Sequence, residues 1–144
     1  MPDVSQVTPG QWLACSAAVV GLLGALHLLY TFHGTKLRPR DTHLERQMGL
    51  VSPEISRRTT MWQAWVGFNA SHSMGALLFA LVYGWFGLAQ PAFFFDSPYL
   101  IAVGFAMLAG YVLLAKEYWF RVPLTGLVIA LLLYCWAVLR AWMA

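Results

Sequence analysis

Trp62, Trp65, Asn69 and His72 recur at spacings of three, four and three within an otherwise apolar run, which sets them on one stripe of an α-helix. His27 and Tyr30 form a second pair, three residues apart, in an earlier apolar run. Tyr111, Tyr134 and Glu117 lie in, or at the end of, two later ones. An imidazole sheltered from bulk water can shuttle a proton, because its ordinary titration lies near neutrality. On that chemistry His72 and His27 are the catalytic candidates. Trp62, Trp65, Asn69, Tyr30, Tyr111, Tyr134 and Glu117 are the ligand-binding candidates. The substrate would be lipid-soluble: an isoprenoid, a quinone or a sterol-like molecule. The plainer use of the same residue types is hydrogen bonding between helices, and then Asn69, Ser71, His72 and Ser73 hold the fold and turn nothing over.

Other chemistries lack their residues. The chain has no HExxH, no GxSxG, no phosphate-binding glycine loop and no paired carboxylates, so no metal site is expected and the sequence names no cofactor. Haem held by two histidines needs both imidazoles at one depth. Counted from the expected helix ends at the helical rise, His27 and His72 differ by about 10 Å, which disfavours it. Cys15 and Cys135 stand alone in apolar segments and read as packed free thiols. A transporter would want a span broken by proline or an intramembrane carboxylate, and neither is present.

The elements carrying these residues are four apolar stretches, at 12–32, 60–89, 99–115 and 124–142. Each meets or approaches the ~20 residues that cross a bilayer. Only 10% of the chain is charged and mean hydropathy is +0.63, too little charge to clothe a water-soluble surface. Thr8-Pro9, Ser52-Pro53 and Ser97-Pro98 pair a hydroxyl cap with a first-turn proline and read as helix starts; Pro123 opens the last span. Thr42-His43-Leu44-Glu45 has the capping-box pattern. It predicts a short helix over 42–50, lying on the membrane with Leu44, Met48 and Val51 towards lipid. No signal peptide is expected, since residues 1–11 carry no Lys or Arg.

Eight of the nine Lys and Arg residues fall in the basic loop at 34–58 or around Lys116 and Arg121. Excess cations mark the cytoplasmic side, so both termini are expected in the periplasm. The net charge of +3 is thus an orientation signal, and nucleic acid is not an expected partner. Small residues at four-residue spacing (Ala17/Gly21/Ala25, Gly67/Ser71/Gly75, Ala102/Ala106/Gly110, Gly126/Ala130) offer seams for close helix packing.

At His33-Gly34-Thr35-Lys36-Leu37-Arg38-Pro39 the chain resembles the end of the first helix of DoxX-like proteins, in which a glycine is soon followed by Lys-Leu and a proline. The resemblance implies a small bacterial inner-membrane four-helix protein, sometimes an accessory to redox machinery. The glycine-to-lysine spacing here is one residue shorter, and the segment 67–72 lies outside the pattern. The architecture alone is similar to the sterol-isomerase class of small membrane proteins.

The reading is therefore an all-α, integral membrane four-helix bundle, up-down-up-down, one domain over 1–144, in a bacterial inner membrane. Its first expected role is an accessory module that binds a partner subunit, a second copy of itself, the lipid bilayer or a hydrophobic small molecule. The second is a membrane enzyme working by His-mediated proton transfer.

Overall fold

The computed structural model describes residues 7–143. Among them the chain is helical with no strand, in the order α1 (Pro9–Phe32), α2 (Thr42–Leu50), α3 (Met61–Ala89), α4 (Pro91–Phe95), α5 (Pro98–Tyr118) and α6 (Arg121–Trp142). Helices α1, α3, α5 and α6 are each long and apolar enough to cross a membrane, the signature of a multi-pass membrane protein. The expectation for the two termini falls partly on residues 1–6 and 144, outside the described residues.

Local chemistry sets the helix ends. Thr8 and Gln11 cap α1 reciprocally: Gln11 N–H donates to Thr8 Oγ1 (3.3 Å) and Thr8 N–H to Gln11 Oε1 (2.8 Å). Thr60 and Gln63 repeat the arrangement at α3. Ser97 caps α5 through Leu100 N–H. Three expected starts differ. Helix α6 begins at Arg121 after the N-cap Phe120, two residues ahead of Pro123. Asp41, not Thr42, caps α2, accepting from His43 N–H at 2.8 Å, and Glu45 is turned instead to an ion pair with Arg38 at 3.2 Å. Ser52-Pro53 opens a turn, closed by Ser56 N–H on Pro53 C=O, because the same dipeptide suits the first half of a turn. After α1, Gly34 takes φ +89°, the left-handed conformation that glycine enters without a Cβ penalty.

The chain divides into two compact units, Met1–Leu23 with Ala76–Ala144, and Gly24–Gly75; both divisions fall inside a helix, α1 or α3. In the larger unit the core joins Leu13, Ala17 and Val20 of α1 to Phe79 and Tyr83 of α3, Phe94 of α4, Leu108 of α5, and Ala130, Tyr134 and Ala137 of α6. Leucine gains little by leaving lipid for protein, so close backbone approach and hydrogen bonds must hold such helices. Both are present. A Cβ on Gly87 would lie 2.9 Å from Ala14 N, one on Gly10 would overlap the Gly87 carbonyl, Gly84 faces Ala17, and Gly21 faces Ala80. Ser16 Oγ donates to Ala130 C=O at 2.7 Å. Tyr134 and Tyr83 hydroxyls donate to the carbonyls of Ile101 (2.8 Å) and Leu100 (3.2 Å). Both tyrosines pass over Gly104, where a Cβ would come within 2.5 Å of Tyr134 Oη and Tyr83 Cε1.

The working seam is thus Gly10/Ala14/Ala17/Gly21 against Ala80/Gly84/Gly87. Two of the expected rows are not seams: Gly67, Ser71, Ala102 and Ala106 are exposed, and nothing lies within 4 Å of a Cβ on Gly67 or Gly110. Spacing shows that small residues share a face, not that a neighbour occupies it.

Candidate functional site

The smaller unit brings together most of the residues that could do chemistry. His27 on α1 and Asn69 on α3 meet at 2.9 Å, Nε2 to Oδ1. Asn69 Nδ2 donates to Trp65 C=O at 2.8 Å, which fixes the carboxamide with its oxygen towards His27. A carboxamide oxygen only accepts, so His27 carries its proton on Nε2 and donates it. Ser73 Oγ in turn donates to Asn69 C=O at 2.9 Å. Asn69 and Ser73 are buried, and among the described residues no buried side-chain polar atom lacks a partner.

His72 stands edge-on to His27, ring centroids 5.5 Å apart, and stacks on Phe68 at 6.4 Å. The expected 10 Å difference in depth is therefore wrong. It assumed that α1 and the first turn of α3 end at one level. Instead the loop lies alongside α3: Trp65 Nε1 donates to Leu37 C=O at 3.1 Å, so the polypeptide after α1 runs beside a residue already one turn into α3. Helices in a membrane need not be flush, and at 29 residues α3 exceeds the hydrocarbon thickness.

The stripe on α3 is only partly interior. Asn69 is buried and Trp62 and His72 are half-buried, while Trp65 is 41% exposed with its indole N–H satisfied by the loop. Arg38 lies 5.9 Å from the Trp62 ring centroid, and Lys36 Nζ donates to Tyr30 Oη at 3.0 Å. Tyr30, Arg38, Trp62, Trp65 and Asn69 border a cavity of about 30 Å³, room for a water molecule and little more.

The remaining expected site residues belong to the larger unit. Glu117 is exposed in the last turn of α5 and Tyr111 is half-buried on the same helix. Tyr134 is buried, with its hydroxyl committed to Ile101 C=O. It borders an apolar groove of about 450 Å³ between α5 and α6, walled by Phe95, Ile101, Phe105, Cys135 and Trp142, within the ~300–1,000 Å³ range of ligand pockets. Sequence reasoning did not find this groove. Its walls are the commonest apolar residue types, and only tertiary packing makes them concave.

No protein family matches the chain, and no curated protein or solved structure matches it significantly. Function must be read from the geometry. Among the described residues no three His, Cys, Asp or Glu side chains cluster as a metal site would require.

Proposed function

We propose that the chain is an accessory module of the membrane, binding a partner subunit or a hydrophobic molecule without transforming it. One observation carries this reading. The His27 Nε2 proton is given to Asn69 and an Asn69 Nδ2 proton to Trp65 C=O, beside a cavity too small for an isoprenoid, quinone or sterol. The roomy groove is walled by apolar side chains and the Cys135 thiol, and its Tyr134 hydroxyl is spent on the backbone. In this reading the four spans form an up-down-up-down bundle. The two-residue joint between α5 and α6 supports it, since so short a link makes neighbours antiparallel. The basic loops face the cytoplasm and both termini face the periplasm of a bacterial inner membrane, as the cation bias and the DoxX-like segment suggest. The open faces at Gly67/Ser71 and Ala102/Ala106 are the surfaces for a partner helix.

Native mass spectrometry from mild detergent tests the proposal. A retained lipid, a second copy or a second membrane polypeptide is expected, lost on Ala106→Leu or Ala102→Trp and kept on His72→Gln. A bare monomer with nothing retained would sink it. A second reading rests on the adjacency of the His27 and His72 rings: an enzyme in which this pair moves a proton on a lipid-soluble substrate. Turnover that vanishes in His27→Ala and His72→Ala while the fold persists would establish it instead.

A further inference from the structure

Between α2 and α3 the backbone closes a small loop. Met61 N–H donates to Val51 C=O at 2.8 Å, pinning the two ends together, and Ser56 N–H on Pro53 C=O and Arg58 N–H on Ser56 Oγ stiffen what lies between. Such a loop, with proline and two internal hydrogen bonds, is held in shape rather than left as a tether. Among its mostly polar side chains, and just before them, stand apolar ones turned outward. Ile55, near the tip, is 95% exposed and Leu50, just before the neck, is 76% exposed, the first of these the most exposed large apolar residue described. Arg57 and Arg58 follow on the same loop, and Arg46 precedes it on α2, a helix with no buried residue. None of these three arginines makes an ion pair among the described residues.

Charge is concentrated here as well. Six cations and three acids lie between positions 36 and 58, while the rest of the chain carries three of each, so the whole net charge of +3 resides in this segment. Of its acids, Glu45 is paired with Arg38, Asp41 caps α2, and Glu54, exposed in the loop beside Ile55, is outnumbered by Arg46, Arg57 and Arg58. Exposed apolar residues at a loop tip, rimmed by unpaired arginines, suit a surface that presents hydrocarbon under phosphate. A protein partner would need its own acidic, apolar surface brought to this spot; the bilayer is already there, since the loop joins two spanning helices.

We propose that the loop at 51–61 is a binding site for anionic phospholipid. Ile55 and Leu50 enter the boundary of the acyl chains, and Arg46, Arg57 and Arg58 take the headgroup phosphates. The proposal rests on the reading that α1 and α3 span the membrane with this loop against an anionic leaflet.

The test places a spin label at Ile55→Cys in the full chain carrying Cys15→Ser and Cys135→Ser, reconstituted in phosphatidylcholine vesicles with or without phosphatidylglycerol. Oxygen and a water-soluble nickel complex then report depth. With phosphatidylglycerol the Ile55 label should favour oxygen over nickel several-fold relative to a label at Gln47, and the preference should fall towards that control in high salt. The triple change Arg46→Gln, Arg57→Gln, Arg58→Gln should remove the dependence on phosphatidylglycerol. A label that stays in water in both lipids overturns the proposal, and so does one immersed equally whether or not the arginines and the anionic lipid are present. A label at Leu132→Cys on α6 separates the two claims. If it is immersed while Ile55 is not, the loop site fails and the membrane reading stands; if both are in water, the membrane reading fails too.

Discussion

Replacing Asn69 by alanine removes the acceptor for His27 Nε2 and the donor to Trp65 C=O. Interhelical hydrogen bonds within membranes average ~0.6 kcal/mol and reach ~1.7 kcal/mol, because the separated helices find other partners. The 2.9 Å bond between a buried amide and a half-buried imidazole should sit in the upper part of that range. His27 is then left without its acceptor, which adds about 1 kcal/mol; the Trp65 carbonyl, inside a helix, should add little. The expected destabilisation is therefore about 1.5–2.5 kcal/mol for Asn69→Ala, with a similar figure for His27→Ala. The double variant should cost less than the two single costs added together, with a coupling of about 0.5–1.5 kcal/mol. Reversible unfolding in mixed micelles titrated with dodecyl sulfate, followed by far-ultraviolet circular dichroism, gives all four corners of the cycle. A coupling below ~0.3 kcal/mol would show that the two side chains do not clasp α1 to α3, and the His27–Asn69 bond behind the accessory reading would fall with it.

Gly87→Leu should destabilise the isolated chain by about 3 kcal/mol or more, since even a Cβ there meets Ala14 N at 2.9 Å; the same unfolding titration reads it. Gly67→Leu and Gly110→Leu should by contrast stay within about 0.5 kcal/mol of the parent, because nothing lies within 4 Å of either. If either shifts the isolated monomer by 2 kcal/mol or so, the open faces are misassigned. Tyr134→Phe should lose about 1 kcal/mol with its bond to Ile101 C=O, and an unchanged unfolding midpoint would count against that bond. An alkaline phosphatase fused after Ala144 should be active and a fluorescent-protein fusion dark, the reverse pattern placing the C-terminus in the cytoplasm.

The spans were legible because hydrophobic length and hydroxyl-proline caps are local signals: α1 and α5 begin at the capped prolines Pro9 and Pro98, and α2 occupies the expected residues. Short helix α4 was missed, its sequence Pro-Ala-Phe-Phe-Phe reading as a loop between spans. The cluster of His27, Asn69 and His72 was legible as three polar residues that must avoid lipid, but their contact was not. Depth counted from helix ends failed because the chain after Phe32 lies beside Trp65, a turn into α3, a tertiary event that no spacing encodes. The seam at Gly10 and Gly87 was overlooked for a related reason. Gly10 lies in the first turn, ahead of the expected start of the span, and Gly87 in the last turn of a long helix, so no single row joined them.

The passage of Tyr83 and Tyr134 over Gly104 ties three positions on three helices into one inheritance. A side chain of any size at position 104 would meet both rings, so a lineage cannot enlarge it without first shortening Tyr83 and Tyr134 or moving α5 outwards. Nor is losing one ring neutral, because each hydroxyl occupies a carbonyl in the first turn of α5. In descendants of this chain the three residues should change together or not at all. A sequence that keeps both tyrosines should keep the glycine, and one that has lost it should show smaller residues at both partners.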